Sequence, residues 1–229
     1  MPKFGRLLAV DERDRQYPAQ AALPAEEPER TYKYWPHRTK LDQGQTGTCV
    51  AHGCTHLVEN SPICPPGTIN PFELYREIVL LDEWSDNDGE ASAADSDMQF
   101  GTSVRAGMKA LQARGLISEY RWAWDADTAA RWIWTSGPVV IGVTWFNGLF
   151  YPDPRTRIVE ATGGIAGGHC VILDGVNMTN RMVRFLNSWG PSYGQNGAAR
   201  MTFETLDKLL ADEGEAAMAI EVSQEVNAP

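Results

Sequence analysis

Between Cys49 and Glu59 the apolar side chains Val50, Cys54, Leu57 and Val58 recur at the spacing of one helical face, and a glycine-bearing turn at residues 42–48 precedes them. The pattern predicts a helix whose first turn carries Cys49. A second helix is predicted after Asn70, a capping residue followed by Pro71 at the first helical position and by Glu73 to complete a capping box, with Phe72, Tyr75, Ile78 and Val79 as its stripe. A third is predicted from about Thr102 to Arg114, with Val104, Met108 and Leu111 on one face and Gly115 as its stop. After about Asp125 the apolar segments become short, β-branched and separated by glycines, so residues 139–145, 170–176, 182–187, 198–203 and 216–222 read as strands. Helices first and a sheet second, with no βαβ alternation, predict an α+β protein whose two lobes meet at a cleft.

The first 40 residues fit neither pattern. Residues 11–40 mix charges with Pro18, Pro24, Pro28 and Pro36 and lack an apolar period, which predicts an extended arm on the surface. The expected organisation is thus an arm (1–40), a helical lobe carrying the Cys49 helix (41–125) and a β-rich lobe (126–229), together one domain. Composition narrows the function classes. A hydrophobic fraction of 43% with eight Trp supplies a core without help from disulfides or metals. A net charge of −10 repels a phosphate backbone, so nucleic acid is not an expected partner. The apolar patch at residues 7–10 is too brief for a signal-peptide core, and no later stretch approaches a membrane span. Four cysteines (49, 54, 64, 170) without an export signal predict reduced thiols and a cytoplasmic protein.

Two metal readings fail on spacing. Around residues 86–89 an Asp-Asn-Asp-Gly run suggests a calcium loop, but the first and last ligand positions would fall on Trp84 and Asp95, so a solvated loop is expected. His52 and His56 share a helix with Cys49, yet about 10.5 Å of rise separates Cys49 from His56, too far for one zinc. No cofactor and no metal are expected.

The chemistry comes from three stretches taken together: residues 42–51 with Gln43 and Cys49, residues 167–171 with His169, and residues 185–190 with Asn187 and Trp189. Cys49 stands where a turn becomes a helix, so unpaired amide hydrogens and the positive end of the dipole favour its thiolate. His169 could pair with that thiolate and later protonate a leaving amine. Asn187 could accept the other imidazole N–H and fix the ring, with Trp189 as an apolar cover. Gln43, six residues before Cys49, could offer its side-chain amide beside the Cys49 N–H as two donors for an oxyanion.

These residues resemble the papain-like cysteine peptidases, in the form found without a propeptide in bacteria and their phages. Asn187-Ser188-Trp189-Gly190 followed by Gly194 and Gly197 is similar to the family's NSWGxxWGxxG turn, with Tyr193 in place of the second Trp; Gly137-Pro138-Val139 resembles its entry to the second lobe. The resemblance implies a helical lobe facing an antiparallel, β-barrel-like lobe across an active-site cleft. It also implies Cys49, His169, Asn187 and Gln43 as the catalytic set, a peptide or protein substrate, and substrate contacts at Gly101 and Gly168. Thr46 stands where secreted relatives carry a second cysteine, Val50 replaces an aromatic residue, and His52 replaces an apolar one. With only 48 residues before Cys49, control by zymogen cleavage is not expected. The same chemistry on isopeptide, cell-wall or acyl-transfer substrates, and an idle papain-like component of a phage particle, are the alternatives.

Overall fold

A computed structural model of the chain describes residues 3–9, 11–25, 30–37, 39–65, 67–83 and 98–222. The helix predicted at Cys49 is α1, Cys49–Glu59, and the capped pattern after Asn70 is α2, Pro71–Leu81. Asn70 Oδ1 accepts from Phe72 N–H at 2.9 Å, which satisfies one of the orphan donors at the helix start. The third, α3, covers Val104–Ala113 and stops at Gly115, whose φ of +67° is the left-handed conformation that a glycine adopts without steric cost. Two further helices, α4 (Ala126–Thr135) and α5 (Phe203–Ala211), begin at Asp125 and Thr202, each of which caps its own first turn.

Strands β1 (Tyr32–Tyr34), β2 (Ile117–Ala123), β3 (Val139–Phe146), β4 (Ile165–Asn177), β5 (Met182–Leu186), β6 (Ala198–Thr202) and β7 (Glu215–Glu221) form one antiparallel sheet. Its order is β2-β7-β3-β4-β5-β6, with β1 paired to β4. The barrel-like lobe expected from the sequence is corrected here: β2 and β6 lie at opposite edges and do not pair with each other, so the sheet stays open. The helical first half contributes β2 to it, as partner of β7.

The central strand β3 is nearly continuous in apolar residues because both of its faces are covered. Val139, Ile141, Val143 and Trp145 belong to the core under α4 and α5, whereas Val140 belongs to the core shared with α1, α2 and α3. On that second face α3 crosses α1 closely at Gly107, where a Cβ would lie 2.6 Å from Cys54 Sγ.

The described part of the N-terminal arm runs largely over the surface and is pinned at a few buried points. Residues 12–16 and 19–22 form 3-10 turns, Arg105 pairs with buried Asp14, and the indole of buried Trp35 donates to Ile133 O at 2.6 Å. Gly5, Arg6 and Ala9 are buried as well.

Candidate active site

The turn at residues 42–48 is shaped by its own polar groups. Gly44 N–H donates to Asp42 Oδ1 (2.9 Å), Thr46 Oγ1 donates to Gln43 O (2.6 Å), and Gln43 N–H donates across to Ser188 O (2.9 Å). The turn delivers Cys49 as the first residue of α1. Strand β4 brings the second group: it pairs with β3 in a register that sets His169 opposite Val143 and Cys170 opposite Gly142. The backbone of Cys170, the neighbour of His169, acts on the Cys49 thiol and lowers its pKa. Strand β5 then runs back along β4, with Leu186 opposite Ile172, and returns Asn187 to the start of β4.

There His169 Nε2–H donates to Asn187 Oδ1 at 2.8 Å, with both side chains buried. Ser188 N–H donates to the same oxygen at 2.8 Å, and Asn187 N–H donates to Gly197 O at 2.9 Å, so the amide that orients the ring is itself oriented. Trp189 stacks on the imidazole with centroids 4.6 Å apart and planes at 24°. The edge of Trp145, from β3, meets it at 4.7 Å. These rings keep competing water from the bond between His169 and Asn187. Gln43 completes the set. Its Oε1 accepts from Ser188 Oγ at 2.6 Å, and its Nε2 donates to Thr46 O at 2.8 Å and to Lys3 O at 3.0 Å.

Lys3 belongs to the arm, and the arm fills the groove. Arg6 N–H donates to Gly168 O on the sheet side at 3.0 Å. On the helical side Thr102 N–H donates to Gly5 O (2.8 Å) and Thr102 O accepts from Leu7 N–H (2.9 Å). Gly101 packs against the Gly5 carbonyl, where a Cβ would sit 3.0 Å from the oxygen. Phe4 lies edge-on to His169 at 5.8 Å and to Trp189 at 6.3 Å. Beside Trp189 the surface opens into a depression lined also by Asp42, Gln45, Phe150 and Tyr151.

This cover sets the electrostatics. Burial pushes the Cys49 thiol up to about 11, and backbone hydrogen bonds from Cys170, Gly5 and Val50 oppose the shift only in part. Burial pulls His169 down to about 4 against the bond that it donates to Asn187. Burial under the arm thus works against the thiolate–imidazolium pair expected from the sequence, and His169 Nδ1 has no hydrogen-bond partner among the described residues. Desolvation disfavours both ions while solvent is excluded.

Sequence reasoning missed Phe4, Arg6, Trp145, Ser188 and Glu215. Ser188 lay inside the quoted motif without a role, and the apolar run of β3 gave the only signal for Trp145. His52 and His56 are both buried in α1; His52 Nδ1 lies 2.9 Å from Thr48 O, and neither ring nitrogen of His56 has a partner among the described residues. The acidic run at residues 86–89 lies outside the described residues.

No family model matches the chain. Among curated proteins it is 24% identical over 221 residues to an uncharacterized peptidase C1-like protein of Acanthamoeba polyphaga mimivirus. That match spans 76% of this chain and 66% of the relative, just under two thirds of its length. Among solved structures it is similar to xylellain, a cysteine protease from Xylella fastidiosa, with a TM-score of 0.67 and 18% identity over 96% of this chain and 97% of that one. It is similar also to a digestive procathepsin L2 proteinase of Tenebrio molitor (TM-score 0.63, 15% identity, 96% and 78% covered). Bromelain of Ananas comosus, solved with the inhibitor E64, gives a TM-score of 0.60 at 11% identity, covering 84% of this chain and 100% of that one. The chain has the papain-like fold, and the resemblance read from its motifs is supported by these neighbours.

Proposed function

We propose that the protein is a cysteine peptidase that hydrolyses peptide bonds by a Cys49–His169–Asn187 mechanism. The observation that carries this reading is the buried 2.8 Å bond from His169 Nε2–H to Asn187 Oδ1, which leaves Nδ1 as the basic nitrogen of the neutral ring. Once the groove exchanges the arm for a substrate, the Cys49 proton passes to Nδ1 and the sulfur attacks the substrate carbonyl. The resulting oxyanion meets the Cys49 N–H and Gln43 Nε2, a donor that already holds a carbonyl oxygen, that of Lys3. His169 then gives its proton to the departing amine, and water attacks the thioester, returning the proton to Cys49 and releasing the acid. The four cysteines are free, in keeping with the cytoplasmic location that we also propose.

The test is a peptide-library digest read by mass spectrometry, using the full chain carrying Gly5→Val, a substitution that cannot fit beneath the Gly47 carbonyl and so displaces the arm. Cleavage that disappears on adding Cys49→Ala supports the reading. A digest in which neither protein cleaves, with the fold intact by circular dichroism, would return the chain to a structural role.

A further inference from the structure

Three covered arginines have carboxylate partners: Arg6 meets Glu215 Oε1 at 3.2 Å, Arg105 pairs with Asp14, and Arg184 pairs with Asp174. Arg155 and Arg200 are exposed and have no ion pair among the described residues. Together with Lys33 and Arg184 they surround a trough of about 690 Å³ that no carboxylate lines among the described residues, in a chain whose net charge is −10. The strand register builds it. Tyr34 on β1 stands opposite Gly175 on β4, Gly175 opposite Arg184 on β5, and Arg184 opposite Arg200 on β6, so these positions share one face of the sheet. Gly175 is the notch in that row. A Cβ there would sit 3.3 Å from Arg184 Cβ and 3.6 Å from the Tyr34 ring; without it the Arg184 guanidinium lies over that ring at 4.7 Å. Two arginines directly opposite on neighbouring strands repel, and Asp174 answers only Arg184. At the other end Tyr32 and Tyr34, 63% and 44% exposed, leave aromatic surface in water.

We propose that this trough is a docking site, separate from the reacting groups, for an acidic segment of the peptide or protein that the groove cleaves. The proposal rests on the peptidase reading and names its substrate class. The turn at residues 152–158 joins the trough to the groove. Pro152, Pro154 and Arg157 face the depression beside Trp189, whereas Arg155, Thr156 and Ile158 face the trough, so a single turn separates the two. Asp153 Oδ1 shapes that turn by accepting from Arg155 N–H (2.9 Å) and Thr156 N–H (2.7 Å). Main-chain bonds from Arg200 N–H to Arg157 O (2.8 Å) and from Val159 N–H to Arg200 O (2.9 Å) fasten it to β6. A chain that leaves the groove past Trp189 therefore reaches the cations within a few residues. The spread of the charges favours a peptide over a single phosphate. The cations come from four elements, β1, the turn, β5 and β6, and no lining residue belongs to a helix, so there is no helix N-terminus to cradle one compact anion. Successive carboxylates along an extended chain match such a row, each open to a forked bond from a guanidinium, while their methylene stems lie on the tyrosine rings. An exposed ion pair contributes little by itself, so the preference comes from several acting together and weakens with salt.

The first measurement needs no catalysis. With the unaltered full chain, fluorescence anisotropy compares a labelled peptide bearing a run of glutamates with a copy bearing glutamines. The glutamate peptide should bind at least tenfold more tightly. Arg155→Glu with Arg200→Glu should bring that ratio to about one, whereas Arg76→Glu with Arg131→Glu, which changes the net charge equally, should leave most of it. A ratio near one in the unaltered chain, or a ratio lost equally in both double variants, would overturn the proposal. So would displacement of the peptide by micromolar inorganic pyrophosphate, which would make the trough a site for small phosphates. The second measurement uses the Gly5→Val chain and peptides of one cleavable core, with the glutamate run placed a few residues to either side. At one placement kcat/KM should exceed that of the glutamine copy at least tenfold, through KM, and the advantage should vanish in an Arg155→Glu, Arg200→Glu chain that melts normally. A tenfold binding preference with no hydrolysis of any peptide would sink the peptidase reading and keep the trough as a site for acidic peptides. Cys49-dependent hydrolysis that ignores the run at both ends, with equal binding of the two peptides, would do the reverse.

Discussion

Alkylation of Cys49 by iodoacetamide at pH 7.5 should proceed about a hundredfold faster in the Gly5→Val chain than in the unaltered one. Under the arm the thiol is fully buried and its pKa stands at about 11 instead of 9.0, which removes roughly two factors of ten from the thiolate fraction at any pH well below both values. Steric exclusion adds to that, because Cys49 is completely buried. The substitution acts through shape alone: a Cβ at Gly5 would overlap the carbonyl and Cα of Gly47, main-chain atoms that cannot step aside. Time-resolved peptide mass spectrometry distinguishes the four thiols. In the unaltered protein half-buried Cys64 should be labelled ahead of Cys49, Cys54 and Cys170, which are completely buried. Equal Cys49 rates in the two proteins would mean that the arm does not cover the sulfur in solution. The order differs from what motif spacing alone suggests, where the nucleophile would be the first thiol to react.

Acid should unfold the protein well before its carboxylates are all protonated. His52, His56 and His169 have folded-state values near 4, 3 and 4, all depressed chiefly by burial from an ordinary 6.5. The unfolded chain therefore binds more protons below pH 6.5, and stability present above that pH is lost as it falls toward 4. Glu215 runs the other way: its folded value near 7 exceeds its ordinary 4.5, so its contribution is fully present below pH 4.5 and fades as pH rises through 7. At pH 5 each histidine has lost about 2 kcal/mol and Glu215 has regained about 2, for a net loss on the order of 3 to 4 kcal/mol relative to pH 7. That is a large part of the stability of an ordinary domain. Urea unfolding followed by tryptophan fluorescence between pH 7 and pH 4.5 measures it. His56→Leu, which removes two unpartnered buried nitrogens, should raise the midpoint at pH 5 and flatten the pH dependence. A midpoint independent of pH across that range would contradict the burial of these rings.

How much of this was legible in the sequence follows from how local each signal is. The starts of α1 and α2 were readable because a turn or a cap announces them within a few residues, and the strands β3 to β7 because their apolar runs need only one or two buried faces to explain them. The helices α4 and α5 were missed although Asp125 and Thr202 are sound caps and each has an apolar face, because both are short and lie in the half of the chain whose β-branched runs read as strands. Strand β2 was missed for a related reason: Ser118, Glu119 and Arg121 break its apolar pattern, and it becomes a strand by pairing with β7, almost a hundred positions away in the chain. At the site, Gln43, Cys49, His169 and Asn187 could be named because each sits in a short motif. Arg6 and Glu215 could not, since nothing local joins an arginine near the first residue to a glutamate near the last. Their meeting is a property of the folded groove.

Because that groove is occupied by the molecule's own first residues, occupancy is a unimolecular matter. A tethered segment competes at an effective concentration on the order of millimolar, set by its linker and untouched by dilution. Ligands that bind the open groove with micromolar intrinsic strength would register as far weaker in the intact chain, by the fraction of time the tether lets go. Assays at different protein concentrations should therefore return one and the same degree of self-masking, which is how an intramolecular guest differs from a second chain lending its end.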